Sequence, residues 1–339
     1  MLRSAYLFAL TLATASAPAQ DNKVLNLYTA RHYQTDEALY TDFTKQTGIR
    51  INRIEGGEDA LAERLKAEGA NSPADVFLTV DMGRLWRADQ DGLFAPIKSA
   101  VLESRIPAHL RDPDGRWYAF SARARLVVYN KDLVKPGEVR TYADLADPKW
   151  KGKVCVRSGA HPYQLSLTAS MVARDGEARA EQWLRGLVAN LARDPKGGDT
   201  DQIKSVASGE CALALANQYY VVRVMRSTRG DDRAAAAKIS TVLPNQETTG
   251  THINISGGGM VKHAPNKEAA RRFLEYLASD EAQRYFADGN NEWPTVPSVK
   301  IANPELAKLG DFRMDTLPVI ELGRHQAAAQ RLSDRVGYK

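Results

Sequence analysis

Apolar runs of strand length alternate along this chain with stretches whose apolar residues recur every three or four positions. That alternation is the signature of an α/β protein. VLNLY (24–28) predicts a first strand. Thr35 is placed to cap a helix whose first turn carries Asp36 and Glu37, whose inner face shows Leu39 and Phe43, and whose end is Thr47-Gly48. IRINRIE (49–55) predicts a second strand, 59–68 a helix with Leu61 and Leu65 on one side, and DVFLTV (75–80) a third strand after the Ser72-Pro73 turn. Strand, helix and strand in so short a compass predict parallel pairing through right-handed crossovers.

The pattern restarts after residue 150. KVCVR (153–157) and CALALAN (211–217) read as strands, with helices around 166–174 and 180–191. Two more strand-like runs, RARLVVYN (123–130) and HINISGGGMV (252–261), are candidates to cross between the two units, and the chain from Asn266 on reads as mostly helical. A length of 339 residues accommodates about two domains with cores of their own. The expected division is 20–122 with about 246–305 in one lobe, and 123–245 with about 306–339 in the other. Two open α/β lobes place a ligand cleft beyond the carboxyl ends of their strands.

The N-terminus changes the setting. Arg3, the apolar stretch 5–15 and Ala17-Pro18-Ala19 predict a signal peptide over 1–19, and hence an exported, soluble protein of the periplasm. No cysteine near the cut suggests a lipid anchor, and no later stretch is apolar enough to span a bilayer. An oxidising compartment favours pairing the two cysteines, Cys155 and Cys211, the alternative being two buried thiols. The formal net charge of +5 is spread among acids without a long basic run, which argues against a nucleic-acid partner.

The chemistry sits just past strand ends. Arg31-His32-Tyr33 follows the first strand, His161-Pro162-Tyr163 follows 153–157, and Gln218-Tyr219-Tyr220 follows 211–217. Four phenols from both units suit a hard, highly charged cation; zinc or copper would call for more His and Cys, calcium or magnesium for Asp and Glu. Fe(III) fits best. Four phenolates around a trivalent ion leave a net negative charge, for which Arg123, Arg125 or Arg31 is a counter-charge. A guanidinium there also suits a carbonate or carboxylate co-ligand. His161 is a weaker candidate donor and reads by default as a surface histidine. No nucleophile elbow, HExxH, phosphate loop or dinucleotide fingerprint is present, so an enzyme is not expected.

LYTARHYQTDEALYTDF, EGANSPADVFLTVDMGRLWRADQDGLF, RARLVVYNKDLVKP, TYADLADPKWKGKVCVRSG, LANQYY and PNQETTGTHINISGGGMVKHAPN resemble the periplasmic ferric iron-binding proteins of the FbpA/FutA group. The resemblance covers essentially the whole mature chain. It implies a type II periplasmic-binding-protein fold, two α/β lobes with crossing hinge strands and a cleft between them. It also implies a ferric ligand and, as partner, the membrane permease of an iron ABC transporter. Carried over by position, the metal ligands are Tyr33, Tyr163, Tyr219 and Tyr220 with His32 as a fifth, and Arg123 lies near the iron with Arg31 as its alternative. For His32 the other reading is a hydrogen-bonding role behind a ligand. The chain is expected to act as a monomer. The rival function is a binding protein of the same fold for a polyamine or a phosphorylated compound, against which the adjacent Tyr219-Tyr220 pair discriminates.

Overall fold

The computed structural model describes residues 23–31 and 34–339. The expected signal peptide, and His32 and Tyr33 of the expected ligand set, lie outside the described residues. Among the described residues ten strands are formed: β1 Val24–Thr29, β2 Arg50–Glu55, β3 Val76–Thr79, β4 Phe94–Ala95, β5 Tyr118–Asn130, β6 Val154–Cys155, β7 Leu213–Asn217, β8 Ile239–Val242, β9 Ile253–Val261 and β10 Trp293–Pro294. The main path runs β2-β1-β3-β9-β5-β7-β6. β1 pairs in parallel with β2 and with β3, as the spacing of the first three strands predicts. Among the described residues no helix is long and apolar enough to cross a membrane.

β5 joins the two units. All of its residues are buried. As far as Ala124 it pairs antiparallel with β9, Ala124 opposite Ile253; from Arg125 onward it pairs with β7, Arg125 opposite Asn217. Its side chains change company at the same point. Tyr118, Phe120 and Ala124 join a core with Leu27, Phe43, Phe77 and Phe273. Leu126 and Val128 then face a core with Ile203 and Val221, while Val127 and Tyr129 face a core with Trp150, Leu184 and Leu332. This is the two-residue period of a strand buried on both faces. β9 lies wholly against the first core, so the second crossing is made by the segment between β8 and β9 rather than by β9 itself. Its glycines have a packing reason: a Cβ on Gly258 would strike the carbonyl oxygen of Phe77 on β3. A further crossing falls between Leu322, in the first core, and Ala328, in the second.

Three local expectations change. Thr35 is itself helical and makes no side-chain cap; its hydroxyl bonds Asn290, while the helix Asp36–Thr47 still ends at Gly48 in the left-handed conformation. The strand expected over 153–157 narrows to Val154–Cys155, at the end of the sheet path with β7 as its partner. After the helix Lys267–Leu277 the chain turns into short helices and irregular segments that carry Asn290, Asn291 and Glu292 into the interior. Cys155 and Cys211 are paired, with Cα atoms 5.8 Å apart, bracing β6 against the entry to β7.

Candidate metal centre

Tyr163 stands in the first turn of the helix Pro162–Asp175, not in a loop. The sequence His-Pro-Tyr explains the start. Proline suits the first helical position, where no N–H is needed. The His161 Nδ1 accepts the Tyr163 backbone N–H at 3.2 Å, and the two rings meet edge to face at 4.4 Å. Burial, reinforced by Arg157, Arg125 and Arg84, pushes the His161 imidazole down to about 3, so it is neutral and keeps Nδ1 free to accept. His161 is thus a helix cap rather than a surface histidine.

β7 ends at Asn217 and runs directly into the helix Gln218–Arg226, whose first turn carries both remaining tyrosines. Tyr219 is buried and Tyr220 half-buried, their rings 4.2 Å apart. The hydroxyls of Tyr163 and Tyr219 meet at 2.8 Å. The helix is pinned to the first unit: Val222 packs in the first core, and Gln218 donates to the Asn291 carbonyl at 3.0 Å. Asn291 adopts φ 61°, a left-handed conformation that asparagine tolerates better than most residues. Tyr163, Tyr219 and Tyr220 are therefore brought together at two helix N-termini, which favour negative charge.

Buried charge surrounds these phenols. Asp199 accepts from Arg125 at 2.6 Å and from Arg157 at 3.2 Å, and both guanidinium groups lie against the Tyr163 ring, 5.9 and 4.9 Å from its centre. On the other side, Arg31 grips Asp36 through Nε (2.9 Å) and Nη2 (3.1 Å) and reaches Glu292 at 3.4 Å, while Arg123 donates to Glu292 at 2.7 Å. Burial opposes the charge on Glu292, but Arg123 and Arg31 outweigh it and hold the carboxyl below its usual range. Beside Arg31, a cavity lined by Thr29, Gly56, Glu58 and Val80 contains a carboxyl of the opposite kind. Burial, then Asp81, pushes Glu58 up to about 7 despite the Val80 N–H and Arg84.

Among the described residues the one grouping of three His, Cys, Asp or Glu donors within reach of each other is Cys155, Glu210 and Cys211, and its two sulfurs are bonded together. The phenols, not thiols or carboxylates, are the donor set that the fold concentrates. Asp199, Glu292 and the His161 cap escaped sequence reasoning. Asp199 reads locally as an ordinary acid at a helix start, and Glu292 as a loop residue before Trp293-Pro294.

The family profile described as "Bacterial extracellular solute-binding protein" matches residues 38–313. Iron uptake protein A1 of Synechocystis is 49% identical over 96% of this chain and 90% of its own length. The chain belongs to the bacterial extracellular solute-binding proteins, in their ferric iron-binding group. A structure of FutA (IdiA) from Trichodesmium with iron and citrate ligands aligns with this solute-binding protein at a TM-score of 0.90 and 53% identity, covering 93% of this chain and all of that one. Apo FutA2 from Synechocystis aligns with the same score at 49% identity, over 94% of this chain and all of its own. The type II periplasmic-binding-protein fold expected from the resemblance is the fold of this chain. Its relatives are binding and uptake proteins, not enzymes.

Proposed function

We propose that this protein captures ferric iron between its two halves through tyrosine phenolates, in the periplasm, and passes it as a monomer to the membrane permease of an ABC importer. The observation that carries the reading is the 2.8 Å separation of the Tyr163 and Tyr219 hydroxyls. Two neighbouring oxygen donors held about 2 Å from one octahedral ion stand about 2.8 Å apart. The pair is therefore already spaced as adjacent ligands, with Tyr220 alongside. The iron-binding relatives support the same reading.

Capture then follows from elementary charge chemistry. A phenol with an ordinary pKa near ~10 keeps its proton at neutral pH, and a trivalent ion supplies the local charge that displaces it. Tyr163, Tyr219 and Tyr220 contribute three phenolates from one half. Tyr33 contributes the fourth from the other, with His32 as a neutral fifth donor. The phenolic protons leave to solvent, so loading releases protons and weakens in acid. Arg123 and Arg31, whose charges Glu292 and Asp36 answer, stand on the first half as guanidinium donors for a carbonate or carboxylate co-ligand. Closure of the halves brings the two ligand sets together.

The test is the visible spectrum of the purified protein titrated with Fe(III) and then stripped with a chelator. A red to orange phenolate-to-iron band that appears with iron and leaves with it supports the reading. A colourless protein that binds a polyamine or a phosphorylated compound instead would replace it.

A further inference from the structure

A cavity of about 440 Å³ lies away from the tyrosines, against the far end of the helix that carries Tyr163. Arg174 on its wall stands about 16 Å along that helix from Tyr163, at about 1.5 Å per residue. The volume falls in the range of small-molecule sites, roughly 300–1,000 Å³. The wall crosses between the halves. Arg174 of the second half grips Asp315 through Nε at 3.1 Å and through Nη2, and the neighbours Met314 and Leu317 pack on the first core.

The aromatic walls offer faces rather than polar atoms. Trp183 spends Nε1 on the Tyr142 carbonyl at 2.7 Å, and the Tyr142 hydroxyl donates to the Arg125 carbonyl and accepts the His252 N–H at 3.2 Å. Met171 adds a third apolar side chain. One buried group on the lining still has an acceptor to offer. The single hydroxyl hydrogen of Ser166 goes to the Tyr163 carbonyl at 3.1 Å, so its oxygen accepts the Nε2–H of His252 at 3.1 Å. Burial, opposed by Asp315 and helped by Arg125, pushes the His252 imidazole down to about 4, so the ring is neutral and Nδ1 carries a lone pair. His252 is only 3% exposed, and its Nδ1 has no hydrogen bond among the described residues. At the mouth stand two exposed charges of opposite sign, Arg179 and Asp175, neither in an ion pair among the described residues. Arg174 and Asp315 answer each other, so the lining is neutral overall with one cation and one anion to spare.

We propose that this cavity is a second binding site, for a free zwitterionic amino acid whose large apolar side chain carries a hydrogen-bond donor, as tryptophan and tyrosine do. The carboxylate meets Arg179, the ammonium meets Asp175, the ring lies against Trp183, Tyr142 and Met171, and the side-chain donor reaches His252 Nδ1. A singly charged molecule leaves one mouth charge unanswered. A side chain without a donor leaves a buried acceptor unmet. The site stands whether or not the tyrosines hold iron.

The test is equilibrium dialysis of the full mature chain, free of iron, against labelled L-tryptophan, L-tyrosine, L-phenylalanine and tryptamine. One equivalent of L-tryptophan or L-tyrosine is expected to bind. L-Phenylalanine, which lacks the donor, and tryptamine, which lacks the carboxylate, are each expected to bind about tenfold more weakly, the worth of one hydrogen bond to a buried or charged partner. Arg179→Gln is expected to weaken L-tryptophan by about tenfold. Thr248→Trp fills the cavity from its rim and is expected to abolish binding. Both positions are exposed, so these variants keep the fold, which an unchanged urea midpoint verifies. Tyr219→Phe is expected to bind L-tryptophan within about twofold of wild type, because distant sites act independently. No retention of either donor-bearing amino acid, equal binding of tryptamine, or full binding by Arg179→Gln or Thr248→Trp overturns the site. Equal binding of L-phenylalanine overturns the role of His252. Loss in Tyr219→Phe overturns the location and moves the amino acid to the tyrosines.

Discussion

The two halves of this protein bury arginine in opposite ways. In the first, Arg31 and Arg123 meet Asp36 and Glu292, two cations with two anions among the described residues. In the second, Arg125 and Arg157 share Asp199 as their one carboxylate among the described residues. A matched set of buried charges stiffens a site and leaves little field outside it. An unmatched set spends stability to keep a field where a ligand arrives. The difference teaches that one half is built as a mount and the other as an electrostatic seat.

The largest effect separates the two sets directly. Glu292→Gln strips one anion from the matched set and is expected to lower the unfolding free energy by about 3–5 kcal/mol, the usual cost of stranding a buried partner. Arg157→Gln, which brings the unmatched set to one against one, is expected to cost no more than about 1 kcal/mol. Urea unfolding of both variants checks the contrast, and equal losses would erase it. Next, reducing Cys155–Cys211, which closes a separation of 56 residues, is expected to lower stability by about 4 kcal/mol. Because the bridge lies in the second half, protection of β6 and β7 in hydrogen exchange should fall before that of β1 to β3.

Tyr219→Phe keeps the ring and removes the oxygen that faces Tyr163. Iron affinity is expected to fall by more than the 10- to 100-fold typical of groups that only support a ligand, roughly two to three orders of magnitude. Chelator competition measures it, and a loss below tenfold would demote Tyr219 from ligand to support. The smallest effect belongs to Glu58. Its carboxyl is pushed from its ordinary 4.5 up to about 7 in the folded protein, so the fold prefers its protonated form. Its contribution to stability is fully present below pH 4.5 and is lost as pH rises toward 7. Glu58→Gln is expected to abolish that decline, worth roughly 1–3 kcal/mol after relaxation. Metal-free unfolding at pH 4.5 and 7.5 reports it, and parallel pH dependences in the two proteins would remove Glu58 from the account.

Much of the architecture was legible because it is local. The first three strands and their parallel order followed from short spacing, and the places where strands stop pointed to Tyr163, Tyr219 and Tyr220, which the fold brings near one another. The pairing of Cys155 with Cys211 followed from compartment and count. What escaped was set by distance along the chain. Arg125 meets Asp199 across 74 positions, and Arg123 meets Glu292 across 169, so no window of sequence contains both partners. Thr35 was misjudged as a cap because its hydroxyl answers Asn290, far down the chain. His161 was undervalued although Pro162 beside it already marks a helix start.

The changeover in β5 has a consequence for motion. Arg123 and Arg125 are separated by one residue, yet each is tethered to a different half, and strand pairing with β9 ends at Ala124 while pairing with β7 begins at Arg125, whose N–H still reaches the His252 carbonyl. A swing of one half against the other is therefore shared among the three crossings, and in β5 it falls on a link with a clamp on either side, like a short torsion bar with fixed ends.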